Sequence, residues 1–321
     1  MSQETSSTFL PERNRVKVLY IAGWQRSGST VLSNILGQIE GFFVTGELYY
    51  LWDYVWFRDI LCGCGDRFSD CTVWNQVLES AFSGRDGVDG TEMRELALLA
   101  GRTRHLPLLL IPGVRRLLVS RLKTYLINLE RLYLGIRSTT NSRVIVDSSK
   151  WPSYGYVLGM IPTVDLYVVH LIRDPRAVAY SWLCRKVLPD RERPEYMYRS
   201  LMNSSARWAA WNVAIETFWR RKTDRYLMLR YEDFVEEPQN AVRRILELLL
   251  EQDPKLPFVS EREVELRATH TVSGNPNRFD VGRVELRADE KWRTKMRYRE
   301  KVAVTALTLP MLKRYRYTLR P

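Results

Sequence analysis

The chain has little histidine and little cysteine, three and four residues in 321. So few cysteines exclude a disulfide-stapled scaffold. No apolar run is long enough to cross a bilayer: the most apolar stretch, 106–119, is interrupted by Pro112, Gly113, Arg115 and Arg116. Residues 1–15 are polar, lack the apolar segment of a secretory signal, and read as a disordered tail. A soluble, cytoplasmic protein is therefore expected. No repeat of fixed period and no low-complexity tract is present. Acidic residues are the minority, 37 against 49 Lys and Arg, for a net charge of +12. That excess favours anionic partners. It is spread along the chain without a recognition module, which argues against nucleic acid.

Apolar residues make up 45% of the chain, enough for a sizeable core. Short apolar runs rich in β-branched and aromatic residues predict strands at 16–23, 42–44, 143–147, 164–172 and 226–230. Helical spacing follows most of them, at 30–38, 152–160, 175 onward, 197–222 and 238–250. At 174–175, Asp then Pro marks a helix start. Residues 48–60 are aromatic-rich and predicted helical, 80–90 a loop, and 91–137 helical with breaks at Pro107, Pro112 and Gly113. Strands alternating with helices imply an α/β fold: a mainly parallel central sheet with helices on both faces. The expected organisation is one domain over 16–321 with a helical insertion near 80–140.

The sharpest local feature is Gly23-Trp24-Gln25-Arg26-Ser27-Gly28-Ser29-Thr30, between the first strand and its helix. It nearly matches the phosphate-binding loop GxxxxGK[ST], whose backbone N–H groups and following helix N-terminus cradle an anion. Ser29 stands where the loop lysine would reach the terminal phosphates of a nucleoside triphosphate. A cation appears instead at Arg26. No convincing strand ends in a magnesium-binding Asp; Asp147 is the nearest candidate. The bland alternative is a tight turn joining strand to helix.

The stretch Gln25 to Thr30 resembles the 5′-phosphosulfate loop of sulfotransferases that use 3′-phosphoadenosine 5′-phosphosulfate (PAPS). The resemblance extends over four ordered blocks between about 16 and 280. The family's second signature, a strand ending in Arg with a Ser eight residues on, is matched by Arg173 and Ser181. Arg173 leaves the carboxyl end of a strand, where open α/β sheets bind ligands. Ser181 lies about two turns along the next helix and Arg185 one turn further, so the three could hold a phosphate monoester. Otherwise Arg173 would pair with Asp174 or Glu232, and Ser181 would merely pack. Tyr231 takes the place of the family's adenine-contacting Tyr. The segment 270–279 resembles the loop that closes over the nucleotide, with Asn277 and Arg278 as ligands of the 3′-phosphate end. It departs from the Arg-Lys-Gly form of the cytosolic small-molecule enzymes, and a solvated basic loop is the alternative.

The resemblance implies PAPS as donor, 3′,5′-adenosine bisphosphate (PAP) as product, and a hydroxyl or amine acceptor. The acceptor could be a small molecule, lipid-like, carbohydrate or peptide. No metal is required, because the sulfuryl group carries a single negative charge that fixed cations can balance. Arg26 and Lys150 are the candidates for that role. None of His105, His170 and His270 directly follows a strand, where many family members carry the base. Glu47 does, and Gly46-Glu47 matches the protein-tyrosine sulfotransferase branch, where the Glu is the base. Glu47 could instead be a helix-start charge or an ion-pair partner. The other readings are a kinase-like phosphotransferase, which Ser29 opposes, and a nucleotide binder without catalysis. Oligomeric state is not legible.

Two features stay outside this reading. Cys62, Cys64 and Cys71 form CxCx₆C, which lacks both a fourth zinc ligand nearby and the paired CxxC spacing, so a structural turn with thiols or a disulfide is expected rather than a metal. Residues 102–137 interleave Arg with Leu, Ile and Tyr. A solvated face of ordinary core helices is expected there, ahead of an acceptor lid or a surface for a lipid-like substrate.

Overall fold

The computed structural model describes residues 15–102, 106–107, 111–184, 200–252 and 254–320. The expected tail, His105 and Arg185 lie outside the described residues, apart from Arg15. Five strands form one sheet: β1 (Val16–Ala22), β2 (Phe42–Gly46), β3 (Val144–Lys150), β4 (Val164–Ile172) and β5 (Tyr226–Arg230). Their order is β2-β3-β1-β4-β5, and every neighbouring pair is parallel. Parallel strands need crossovers that cover the sheet's faces, which accounts for their near-continuous apolar sequences. Side-chain alternation splits β1 between two cores. Val16, Val18, Tyr20 and Ala22 enter one, and Leu19 and Ile21 enter the other with Leu32, Ile35 and Leu36 of the helix Ser29–Leu36.

The larger core holds the helices Thr72–Phe82, Gly90–Ala100 and Lys123–Thr140, together with a dense group of aromatic rings. The Asp174 carboxylate caps the helix Pro175–Leu183, accepting from the Arg176 N–H at 2.8 Å. The stretch 48–60, expected to be helical, is helical over 48–58 in three short pieces, Leu48–Tyr50, Leu51–Val55 and Trp56–Arg58, interrupted where Asp53 leaves helical geometry at φ −106°, ψ −110°. The last sixty residues include an antiparallel pair of β6 (Glu263–Leu266) and β7 (Gly282–Glu285). Fifteen intervening residues, 267–281, hid that pairing from local pattern. No helix among the described residues is long and apolar enough to cross a membrane.

Two buried ionisable groups in the sheet carry opposite pH signatures. His170 on β4 receives the Tyr226 hydroxyl on Nδ1 (2.7 Å) and donates from Nε2 to Asn212 Oδ1 (2.8 Å), a neutral arrangement. Burial lowers it from 6.5 to about 4. Burial raises the Asp147 carboxyl from 3.8 to about 6, against hydrogen bonds from Ser149 and Tyr133. As pH falls from 6.5 to 4 the unfolded chain protonates at His170 first, and about 3 kcal/mol of stability is lost. Over nearly the same window the folded chain protonates Asp147 first and about 3 kcal/mol is gained. The two effects offset in the parent chain. In His170→Gln only the gain remains, so its denaturation midpoint should rise relative to the parent as pH falls from 6.5 to 4. Parallel profiles of the two proteins would refute the assignment.

Candidate active site

The site gathers where strands end. After β1 the chain turns through Gly23 and Gly28 and enters the helix Ser29–Leu36. Gly28 has φ 90°, and a Cβ there would meet the Tyr231 ring at 2.5 Å. Glycine is thus required both by the backbone and by the ring beneath it. The Ser27 hydroxyl turns inward and donates to the Trp24 carbonyl at 2.7 Å. Ser27 therefore shapes the loop and does not line the cavity. Arg26 sits at φ 70°, with its guanidinium 5.0 Å from the Trp182 ring centre. Burial lowers its pKa, while the nearby Glu47 carboxylate works the other way.

β3 carries an irregularity that aims Lys150. Tyr20 is opposite Asp147, but Ala22 is opposite Lys150, so β3 holds one extra residue there. Asp147 fixes this bulge. Its Oδ1 accepts from the Ser149 N–H (2.8 Å) and hydroxyl (2.5 Å), and its Oδ2 accepts from Tyr133 (2.6 Å). All three bonds are internal, so Asp147 supports the strand. Beyond the bulge Lys150 adopts φ 73°. Its Nζ lies 2.6 Å from Glu47 Oε1, with the two side chains 6% and 12% exposed. Glu47 likewise follows an irregularity, where Gly46 on β2 pairs with Asp147 at φ 76°. The Glu47 N–H donates to the Ser273 carbonyl at 3.0 Å. The sequence reading set Lys150 just after its strand; it is the strand's last residue.

Arg173 leaves β4 and reaches under the loop. Nη1 donates to the Arg26 carbonyl (3.1 Å) and Nη2 to the Asp289 carbonyl (2.8 Å), and the guanidinium lies 4.4 Å from the Tyr231 ring centre. Asp289 also places a carboxylate oxygen 3.4 Å from Nη2. Arg173 Nε is buried without a partner among the described residues. The alternative pairing of Arg173 with Asp174 or Glu232 does not occur. Asp174 binds Arg176 through both oxygens, and Glu232 accepts from the Asp174 N–H and the Tyr317 hydroxyl.

A single cavity of about 550 Å³ joins these elements. Gln25, Arg26, Gly28, Ser29 and Thr30 line one part, Glu47 and Lys150 another, and Arg173, Ser181, Tyr231 and Asn277 the rest. Arg278 is not brought to it. Its guanidinium is buried and donates to the carbonyls of Thr271 (2.7 Å) and Leu61 (2.6 Å). Main-chain carbonyls thus take these two donors. Arg185 lies outside the described residues. Sequence reasoning missed Tyr50, Tyr54, Arg58, Trp182 and Asp289, which also line the cavity. The aromatic density of 48–60 was the available signal for the first three; nothing local marks Asp289.

A second, more open cleft of about 970 Å³ shares the aromatic wall. Tyr49 and Trp151 line it, and their neighbours Tyr50 and Lys150 line the first cavity. Leu98, Leu106, Pro107, Val213 and Phe218 make it mainly apolar, with Arg102 and Arg207 beside them. The basic, helical part of the sequence therefore contributes a wall as well as solvated surface.

The family model described as the sulfotransferase domain matches residues 134–285. Two solved structures share the fold. One is a sulfotransferase domain from the Synechococcus PCC 7002 olefin synthase, 21% identical with TM-score 0.55, covering 95% of this chain and 96% of its own. The other is a sulfotransferase domain from the curacin biosynthetic pathway, 15% identical with TM-score 0.54, covering 95% and 98%. No curated protein matches the sequence. Part of the sequence and the fold as a whole are thus each similar to sulfotransferase domains. The matched span includes Lys150, Arg173, Ser181 and Tyr231 but not the loop 23–30, whose reading rests on its geometry.

Proposed function

We propose that the chain transfers a sulfuryl group from PAPS to a hydroxyl or amine acceptor. The observation that supports this most is the shared cavity. The loop at Arg26 and the Arg173–Ser181 pair face one volume, within the usual size of a small-molecule site. A nucleotide with an anion at each end of its ribose suits two adjacent anion sites. A triphosphate needs only the first, together with the loop lysine that Ser29 replaces. The unpartnered Arg173 Nε and the N-terminus of the helix Ser29–Leu36 are donors suited to the two anions. Tyr231, packed under Gly28, forms part of the wall near the base.

In the reaction the acceptor oxygen or nitrogen forms a bond to sulfur as the sulfur–oxygen bond to the 5′-phosphate breaks. The acceptor proton passes to Glu47, and PAP leaves. Lys150 and Arg26 balance charge on the sulfuryl and bridging oxygens. The Gly46-Glu47 pattern and the position of Glu47 beside Lys150 support the base assignment.

Calorimetry tests the donor. PAP should bind without metal and more tightly than ATP with magnesium; the reverse order would favour a phosphotransferase. Arg173→Ala should weaken PAP by about 10–100-fold, the loss of charge-assisted hydrogen bonds, while sparing adenosine 5′-phosphosulfate. Because Arg173 also holds the Arg26 carbonyl, the phosphosulfate control separates ligand loss from loop disturbance. Equal loss of both ligands would overturn the assignment.

A further inference from the structure

We propose that Cys62, Cys64, Cys71 and His270 form a structural zinc site that anchors the rim of the cavity. The fourth donor missing near the cysteines in sequence comes from 199 positions beyond Cys71. One ligand atom from each residue lies within 4.8 Å of all the others. Tetrahedral zinc, with bonds of about 2.3 Å to sulfur and about 2.0 Å to nitrogen, requires S···S edges near about 3.8 Å and S···N edges near about 3.5 Å. The Cys64 and Cys71 sulfurs are 3.8 Å apart, and Cys71 Sγ lies 3.3 Å from His270 Nδ1. All four cysteines of the chain are free thiols, so no disulfide competes within the cluster. Three thiolates and one imidazole that fill all four positions correspond to a closed, structural zinc site.

The backbone around the cluster is built for close approach. Leu61 bridges Arg67 across a tight turn, and the Cys62 N–H donates to the Asp66 carbonyl at 2.7 Å. Gly63 donates its N–H to the Thr271 carbonyl, and a Cβ on Gly63 would lie 2.4 Å from Thr271 Oγ1. The Trp74 indole donates to the His270 carbonyl at 2.7 Å. Arg278 spans both halves, since its two carbonyl partners, Leu61 and Thr271, are the chain neighbours of Cys62 and His270. The segment after His270 then runs along β2. The Val272 N–H donates to the Thr45 carbonyl, and the Ser273 carbonyl accepts from Glu47. A metal at His270 would thereby fix the backbone that positions Glu47.

The inference does not depend on the donor or on transfer. Full-length chain expressed in zinc-supplemented medium and dialysed should retain one zinc per chain by elemental analysis. Cobalt-exchanged protein should show tetrahedral ligand-field bands with thiolate charge-transfer absorption. Cys64→Ser and His270→Ala, each leaving three donors, should lose zinc to background and lower the melting temperature. Should either variant fail to fold, the cobalt spectrum of the parent still decides. A dialysed parent without zinc, octahedral cobalt without thiolate absorption, or unchanged zinc in both variants would each overturn the proposal.

Discussion

Glu47→Gln is expected to slow sulfuryl transfer by about 10²–10⁴-fold, the usual contribution of a positioned base. Gln keeps the shape of the side chain and an oxygen for the Lys150 ammonium 2.6 Å away, but it cannot take the acceptor proton. Nucleotide affinity should stay within about threefold, because Glu47 lies at the acceptor end of the proposed donor site. Single-turnover rates with labelled PAPS, alongside PAP calorimetry, separate the two quantities. Unchanged turnover would remove Glu47 as the base.

Lys150→Met should cost about 10²–10³-fold in turnover, the scale seen when one preorganised donor to developing charge is removed. Met retains the apolar stem through the bulge of β3 and deletes only the charge. Because Lys150 and Glu47 touch, their losses should not multiply. The double variant should be little slower than the slower single one. Full multiplication would mean that the two groups act independently, which contradicts a shared reacting centre.

The strands, their parallel pairing and the turn after β1 were readable because they rest on local chemistry. β-branched runs mark β1, β3 and β4, and Asp174-Pro175 marks a helix start. The glycine at 28 marks a backbone that only glycine adopts freely. The features that aim the side chains were not readable. The extra residue in β3 is fixed by the contacts of Asp147 with Ser149 and Tyr133, and no local pattern signals those. Nor did the sequence show that Arg278, read as a phosphate ligand in a basic loop, also donates to the carbonyls of Leu61 and Thr271, which lie far apart in the chain. His270 joins the cysteines only through the fold, since sequence spacing can register metal ligands on one hairpin but not across the chain.

Arg26 and Lys150 both occupy left-handed backbone, at φ 70° and 73°, where a side chain beyond glycine costs roughly 1–2 kcal/mol. Glycine at either position would relax the main chain and discard a positive charge. A library of these two codons sorted for heat tolerance alone should therefore drift toward neutral, glycine-bearing clones that fold well and turn over nothing. Sorting for turnover should hold both residues in place despite the strain they impose.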